Sequence, residues 1–143
     1  MALKYCRIDL SKTKYVQLLN WTYLPKPDIN ELNEIYKKYC KHKKFSSVMP
    51  MFENDYANTA NEIIGYTFKE KIVAFSFITK LDKFSIQGNQ FAWDYNNPEL
   101  KLGIESLKHE CAIYKDRGFK YYYLGHADKY KTQIDGFEML GTL

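Results

Sequence analysis

The residues of this chain that could do chemistry gather in one stretch, 91–125, and just beyond it. That stretch, FAWDYNNPELKLGIESLKHECAIYKDRGFKYYYLG, reads as an aromatic strand, a turn with Pro98 and two asparagines, an amphipathic helix, and a second aromatic strand between Gly118 and Gly125. A strand feeding a helix through such a turn leaves unpaired backbone N–H groups at the helix start. Here they belong to Leu102, Gly103 and Ile104, where the helix dipole favours phosphate. Such a corner receives an anionic or acyl-bearing ligand, and the combination points to an acyl-transfer scaffold. Moving an acyl group to an amine needs a grip on the donor, polarisation of its carbonyl and proton handling. For proton handling the candidates are Tyr130, His126, Glu110 and Asp94.

Each candidate also has a plainer reading. Tyr130 is one of 13 tyrosines, and His126 follows a Leu-Gly exit as a turn residue would. His109 and Glu110 share a helix with Lys108 and Lys115, which predicts a solvated face. Asp94 can cap a turn with Asn96 and Asn97. Tyr121, Tyr122 and Tyr123 alternate faces, so at least one is core. Three histidines without i, i+4 or HxH spacing argue against a metal site. No GxSxG elbow is present for a Ser-His-Asp triad.

Length and composition bound what such a corner can belong to. A chain of 143 residues fits a single domain, 1–143, around one core. With 45% hydrophobic and 27% charged residues the composition is that of a globular fold and argues against disorder. No apolar run approaches the roughly 20 residues of a membrane span, so no membrane partner is expected. The start, MALKYCRIDL, carries charge inside its short apolar patch and reads as a strand, not a secretion signal; the expected compartment is the cytoplasm. Cys6, Cys40 and Cys111 form no CxxC pair and are expected as buried thiols. Much of the net charge of +4 lies in Lys37, Lys38, Lys41, Lys43 and Lys44 around His42. That cluster reads as a phosphate contact or as a solvated helix end complementing the dipole.

Periodicity supplies the elements that must hold these residues in place. Residues 4–10 alternate as a first strand, and a short helix is expected at 14–21. Pro25 and Pro27 break the chain. Asp28 and Glu31 form an N-terminal capping pair. Leu32, Ile35, Tyr36, Tyr39 and Cys40 then give an amphipathic helix of about three turns. Residues 45–61 connect, with a helical turn expected at 52–58. From Glu62 the period becomes 2: Ile64, Tyr66 and Phe68 alternate, and Lys69, Glu70 and Lys71 turn. The next strand sets Ile72, Ala74, Ser76 and Ile78 against Val73, Phe75 and Phe77; both faces are apolar, as in a covered central strand. Residues 81–89 turn again and 90–95 close an antiparallel meander. Ile104, Leu107, Cys111 and Tyr114 define the long helix that Gly118 stops. A strand at 119–124 follows, with Gly125 as its exit, then a short helix and the segment GFEML.

This order of strand, helices, meander, helix and strand resembles the GNAT acyltransferase fold. Within it, the chain from about Asn33 onward resembles the C-terminal domain of the aminoacyl-tRNA–protein transferases, the arginyl- and leucyl-transferring enzymes. The likeness is carried by the helix end 36–42, IVAFSFITKLD, FAWDY, PELKLG, IESLKHECAIYKDRG and above all FKYYYLG. It implies an α/β (α+β) fold, a mixed and mostly antiparallel sheet flanked by helices. It implies carbonyl polarisation by backbone amides near Trp93 and Asp94 and places the proton-handling tyrosine at Tyr130. Lys131 beside it echoes a family Tyr-Lys, and with Tyr95 and Tyr123 makes the implied substrate contacts. There are departures. The family's cysteine-bearing N-terminal half is missing, and His126-Ala127-Asp128 replace a Tyr-rich stretch. LKLGIE offers one glycine where acetyl-CoA-dependent GNAT enzymes carry a glycine-rich pyrophosphate loop. The tail is short for the strand pair that completes most such domains, so the fold is expected to be C-terminally shortened.

The expected activity is transfer of an acyl or aminoacyl group from acyl-CoA or aminoacyl-tRNA to an amine or peptide. Direct attack is expected, since no nucleophile stands out, with no permanently bound cofactor. The alternative is a non-catalytic, virus-type GNAT-like module that binds a protein or nucleic-acid partner, and the glycine-poor donor loop favours it. A sheet ending at 119–124 would expose an aromatic edge guarded by Lys120 alone. A tail from 134 to 143 crossing to a second copy would cover it, so a homodimer is expected.

Overall fold

The period-2 segments beyond Glu62 pair with one another, and the rest of the sheet grows outward from them. The computed structural model describes residues 4–43, 59–126 and 129–142. Its strands are β1 (Lys4–Asp9), β2 (Trp21–Tyr23), β3 (Asn61–Phe68), β4 (Lys71–Lys80), β5 (Ser85–Trp93), β6 (Tyr121–His126) and β7 (Phe137–Thr142). Its helices are α1 (Ile29–Lys43) and α2 (Leu102–Asp116), with 3-10 turns at Leu10–Lys12, Pro98–Leu100 and Lys129–Gln133. The sheet order is β2-β3-β4-β5-β6-β1-β7, antiparallel throughout except between β5 and β6. The helical turn expected at 52–58 lies outside the described residues.

The central strands are apolar on both faces because each face has a helix to cover. Leu32, Ile35, Tyr36 and Cys40 of α1 pack on Ile63, Phe75, Phe77 and Ala92. On the other face, Leu107, Cys111 and Tyr114 of α2 pack on Ile64, Tyr66, Ala74 and Ile78. Each fully buried side chain of this size stabilises by about 1.5–3 kcal/mol. The α1 start is as read: Asp28 Oδ1 accepts from the N–H groups of Asn30 (3.1 Å) and Glu31 (3.3 Å). The helix runs 15 residues, longer than expected. Gly118, at φ +94°, ends α2 as expected.

Strict alternation misplaces two residues of β4. Tyr66 pairs with Ala74 and Thr67 with Ile72, so Val73 is an extra residue in the ladder. The bulge sends Val73 to the α2 face and Ile72 to the α1 face, the reverse of the period-2 reading. The strand expected at 90–95 begins at Ser85, and β6 runs through Gly125 to His126 instead of ending at 124.

No helix forms at 14–21. Residues 13–18 are an irregular arm laid along α2 and held by side chains. Leu18 N–H donates to His109 Nδ1 at 2.8 Å, Gln17 Nε2 donates to Asp116 at 2.9 Å, and Lys115 Nζ donates to Thr13 O. Bonds of this kind compete with a helical ladder for the backbone. A second correction concerns His109 and Glu110, which are not on a solvated face: His109, 0% exposed, is met by the arm, and Glu110, 3% exposed, is met by hydroxyls of the sheet. Helix α2 carries a second buried stripe, Leu102, Ser106, His109 and Ile113, and the arm meets it at His109.

The far end of the sheet overturns the open edge. β1, from the start of the chain, pairs with β6 on one side and β7 on the other. The tail, expected to be too short for a strand pair beyond β6, supplies one strand, β7, and the start of the chain supplies the other, β1. With β6 internal to the sheet, the expectation of a homodimer loses its premise.

Candidate active site

β5 and β6 run together only briefly. Their parallel pairing covers Ser85 with Tyr121, Ile86 with Tyr122 and Gln87 with Tyr123; both strands then continue without pairing each other. In the β4 register, Gly88 and Gln90 have partners and Asn89 between them does not, so a bulge bends β5 where the strands part. The gap is a cavity of about 140 Å³. Residues of β5 from Gly88 to Phe91 line it, with Gly103, Ser106, Leu107 and Glu110 of α2, Tyr122 and Leu124 of β6, Ser76, Tyr39 and Lys131.

Three strands converge on the carboxylate at its floor. Glu110 Oε2 accepts from Tyr66 Oη of β3 and Ser76 Oγ of β4, each at 2.5 Å, and Oε1 accepts from Tyr122 Oη of β6 at 2.5 Å. Among the described residues no cation pairs with it. Burial pushes the Glu110 pKa up, and the hydroxyls of Ser76, Tyr122 and Tyr66 only partly oppose this. Burial and then the charge of Glu110 hold the Tyr66 and Tyr122 phenols well above the ordinary tyrosine range. Tyr122 reaches this position because residue 88 is glycine: a Cβ there would stand 3.0 Å from its ring and 3.1 Å from its hydroxyl.

A second cavity, about 460 Å³, opens at the start of α2 and shares Tyr39, Phe91 and Gly103 with the first. Lys101 is the N-cap residue, at φ +48° and with no side-chain cap bond. Its carbonyl accepts from the N–H groups of Ile104 and Glu105, which leaves those of Leu102 and Gly103 ahead of the helical ladder. A Cβ on Gly103 would meet nothing within 4 Å, so this turn faces open space. Tyr95 sits at φ +59°, a region tyrosine seldom occupies. Its ring lies 3.7 Å from the ring of His42, stacked at 15°, and 4.3 Å from that of Trp93. The basic end of α1 is thus not simply solvated: His42 and Lys43 line this cavity with Lys101.

Trp93, Tyr95, Gly103 and Ile104 line this outer cavity and Lys131 the inner one, so five of the ten expected site residues fall on the two cavities. Leu102 is buried behind it in the core. Asp94 serves as the turn cap: Asn96 donates to it from its backbone (2.9 Å) and its side chain (3.1 Å). The Asp94 N–H is bonded to Val73 O, so it is not free to polarise a carbonyl. The pleat turns the neighbouring N–H groups of Trp93 and Phe91 to the opposite edge, where β6 has diverged. Tyr123 stands apart from both cavities; its hydroxyl accepts from Arg7 Nη1 at 3.1 Å, and Arg7 pairs with Glu138 at 3.0 Å. His126 ends β6 opposite Tyr5 of β1. Tyr130 lies in the Lys129–Gln133 turn, one residue before Lys131.

Tyr66, Ser76, Tyr122 and Gly88 are the residues of these cavities that sequence reasoning missed as site residues. The signal for Tyr122 was the central position in YYY, whose alternation sends one ring inward. That for Glu110 was its place three residues after Leu107 and four before Tyr114, inside the apolar stripe. Among the described residues no His, Cys, Asp or Glu cluster could hold a metal ion, and no helix is long and apolar enough to cross a membrane.

A third cavity, about 380 Å³, lies at the β2–β3 edge near the C-terminal end of α2 and is lined by Tyr23, Leu24, Pro25, Asn61, Glu62, Ile63 and Arg117. Its carboxylate is fully met: Arg117 grips Glu62 bidentately at 2.8 and 2.9 Å, Tyr114 Oη donates at 2.7 Å, and Lys80 Nζ is 3.4 Å away. Burial works to raise the Glu62 pKa, but Arg117, Tyr114 and Lys80 together outweigh it and hold the value low.

No family model matches this sequence, and no curated protein does. Solved structures do. A GNAT-family acetyltransferase of Novosphingobium aromaticivorans matches 99% of this chain and 61% of its own, at 13% identity and TM-score 0.66. The C-terminal domain of a lysylphosphatidylglycerol synthetase from Agrobacterium fabrum matches 89% of this chain and 48% of its own, at 14% identity and TM-score 0.58. Saccharomyces cerevisiae N-myristoyltransferase, with bound myristoyl-CoA, matches 86% of this chain and 41% of its own, at 12% identity and TM-score 0.58. The chain thus spans about half the length of the solved chains it matches. The chain has the GNAT acyltransferase fold.

Proposed function

We propose that this protein transfers an acyl group from an acyl-CoA donor to an amine by direct attack. The observation that carries the reading is the parting of β5 from β6 beside the open start of α2. One ligand could thereby lie along both cavities, its phosphates at the helix start and its acyl end between the strands. The N–H groups of Leu102 and Gly103, with Lys101, His42 and Lys43, suit pyrophosphate. The N–H groups of Trp93 and Phe91 on the free edge of β5 suit the donor carbonyl. Tyr95 and Lys131 contact the substrates, and Tyr130, carried on the short turn with Lys131, protonates the leaving group, with His126 as the other candidate. Tyr130→Phe is then expected to lower turnover roughly 10- to 1000-fold.

The glycine-poor corner LKLGIE favours the second reading, a non-catalytic module for a protein or nucleic-acid partner. Thermal shifts with coenzyme A, acetyl-CoA and an aminoacyl-adenylate mimic separate the readings. A ligand at 100 times its dissociation constant stabilises by about 2.7 kcal/mol. A shift with coenzyme A supports the acyl-CoA donor, a shift with the mimic alone moves the donor to aminoacyl-tRNA, and no shift with any of them favours the module.

A further inference from the structure

We propose that Tyr122 and Glu110 form the proton exit for the attacking amine, Tyr122 meeting the nitrogen and Glu110 taking the proton behind it. This rests on the acyl-transfer reading above and assigns it a base that neither the sequence resemblance nor the fold supplies.

The argument starts from what a carboxylate is doing at the floor of a cavity. Glu110 is 3% exposed, has no cation partner among the described residues, and is surrounded by three hydroxyls from three strands. A buried charge held only by neutral donors does not repay its desolvation as a structural device. A core without this charge would need the carboxylate and its three hydroxyl donors replaced together, and what stands there instead is a carboxylate with its hydroxyls at the floor of a cavity, the setting of a proton-handling group. Its position fits that role. The Tyr122 hydroxyl lies between Oε1 and the gap where β5 has parted from β6, and glycine at 88 keeps that approach open. The Tyr122–Glu110 hydrogen bond already supplies the inner step of a two-step relay. The groups facing Glu110 are Tyr66 of β3, Ser76 of β4 and Tyr122 of β6, with Cys111 next to it on α2 and Lys131 across the cavity.

In the reaction, the amine nitrogen bonds to the thioester carbonyl carbon and the carbon–sulfur bond breaks. The proton lost by nitrogen passes to Tyr122 Oη as the Tyr122 hydrogen passes to Glu110 Oε1. The departing thiolate takes the Tyr130 hydrogen. Glu110 then releases its proton to solvent and Tyr130 regains one, so the cycle closes with no net proton change.

The test follows thiol release from acetyl-CoA with lysine-containing peptide and spermidine as acceptors, alongside coenzyme A affinity, using the full chain. Glu110→Gln keeps the size and one accepting oxygen, puts an NH2 donor in place of the other, and cannot take a proton. It is expected to lower kcat at least 100-fold, to leave coenzyme A affinity and melting temperature within error or raise the latter, and to remove the acidic limb of the pH–rate profile. Tyr122→Phe is expected to lower kcat in the same way, and Glu110→Asp to recover part of the loss. A Glu110→Gln protein with wild-type kcat and an unchanged pH profile would overturn the proposal while leaving acyl transfer intact. If Glu110→Gln unfolds, the pH profile of Tyr122→Phe decides: a retained acidic limb at wild-type kcat overturns the relay. A wild-type protein that neither binds coenzyme A nor releases thiol overturns the acyl-CoA reading itself, and the relay with it.

Discussion

Glu62, which meets α2 from β3, and Glu110, which α2 itself carries, show how one residue type is used in two ways. Glu62, at the end of β3, is met by Arg117, Lys80 and Tyr114, and its charged form is favoured. Glu110, at the centre of α2, is met by three hydroxyls and no cation, and its charged form is disfavoured. The first arrangement ties the C-terminal end of α2 to the sheet and behaves as a fastener. The second is a strained charge beside a cavity, where a proton can be taken up. The comparison separates residues that hold the fold from residues the fold holds in readiness.

The largest expected effect tests that separation through activity. Glu110→Gln should cut thiol release from acetyl-CoA by about 100-fold or more, whereas Glu62→Gln should leave turnover per folded molecule within about two-fold. Equal losses in the two variants would erase the distinction. Stability should reverse the order. Glu62→Gln loses a bidentate charged hydrogen bond and should destabilise by about 1–3 kcal/mol in urea unfolding, while Glu110→Gln should be neutral or stabilising.

A finer contrast lies in pH. Glu62 has a folded pKa below its ordinary value of 4.5, so its stabilisation is present above that value and is lost as pH falls through the folded pKa. Glu110 has a folded pKa above 4.5, so its protonated form favours folding and its contribution is lost as pH rises through the folded pKa. His109 adds to the acid side. It is buried, accepts from Leu18 N–H, and burial lowers its pKa from 6.5 to about 4. Its neutral state is the folded one, so stability falls as pH drops from 6.5 toward 4. Melting temperatures between pH 3 and 8 check the signs: Glu110→Gln should gain relative to wild type as pH rises, and Glu62→Gln should gain relative to wild type as pH falls. The smallest effect concerns assembly. Because β1 and β7 cover β6 and remove the aromatic edge on which a dimer was expected, light scattering at micromolar concentration should give a monomer of about 17.0 kDa.

Helices α1 and α2, the meander and the turn that opens α2 were legible in the sequence because each depends on local periodicity. Asp28, Gly118 and the stripe from Ile104 to Tyr114 carry their own signals. What escaped depends on single extra residues and on distant pairing. Val73 and Asn89 are unpaired in their ladders, and nothing in alternation marks a bulge, yet the one flips two side chains and the other accompanies the opening of the inner cavity. The β1–β6 pairing joins residues more than a hundred positions apart, so the covering of β6 could not be read from the tail alone. The second stripe of α2, Leu102, Ser106, His109 and Ile113, was present in the sequence but masked by Lys108 and Lys115 on the same helix.

Calorimetric titration of coenzyme A into wild type and Gly103→Val tests the central claim most directly. Residue 103 lines both cavities and has open space around its missing Cβ, so valine can fold there while its methyl groups enter the donor path. The expected result is binding to the wild type, and at least ten-fold weaker binding to a variant that melts within a few degrees of it. Equal affinity in the two proteins would show that the start of α2 is not where the donor is held.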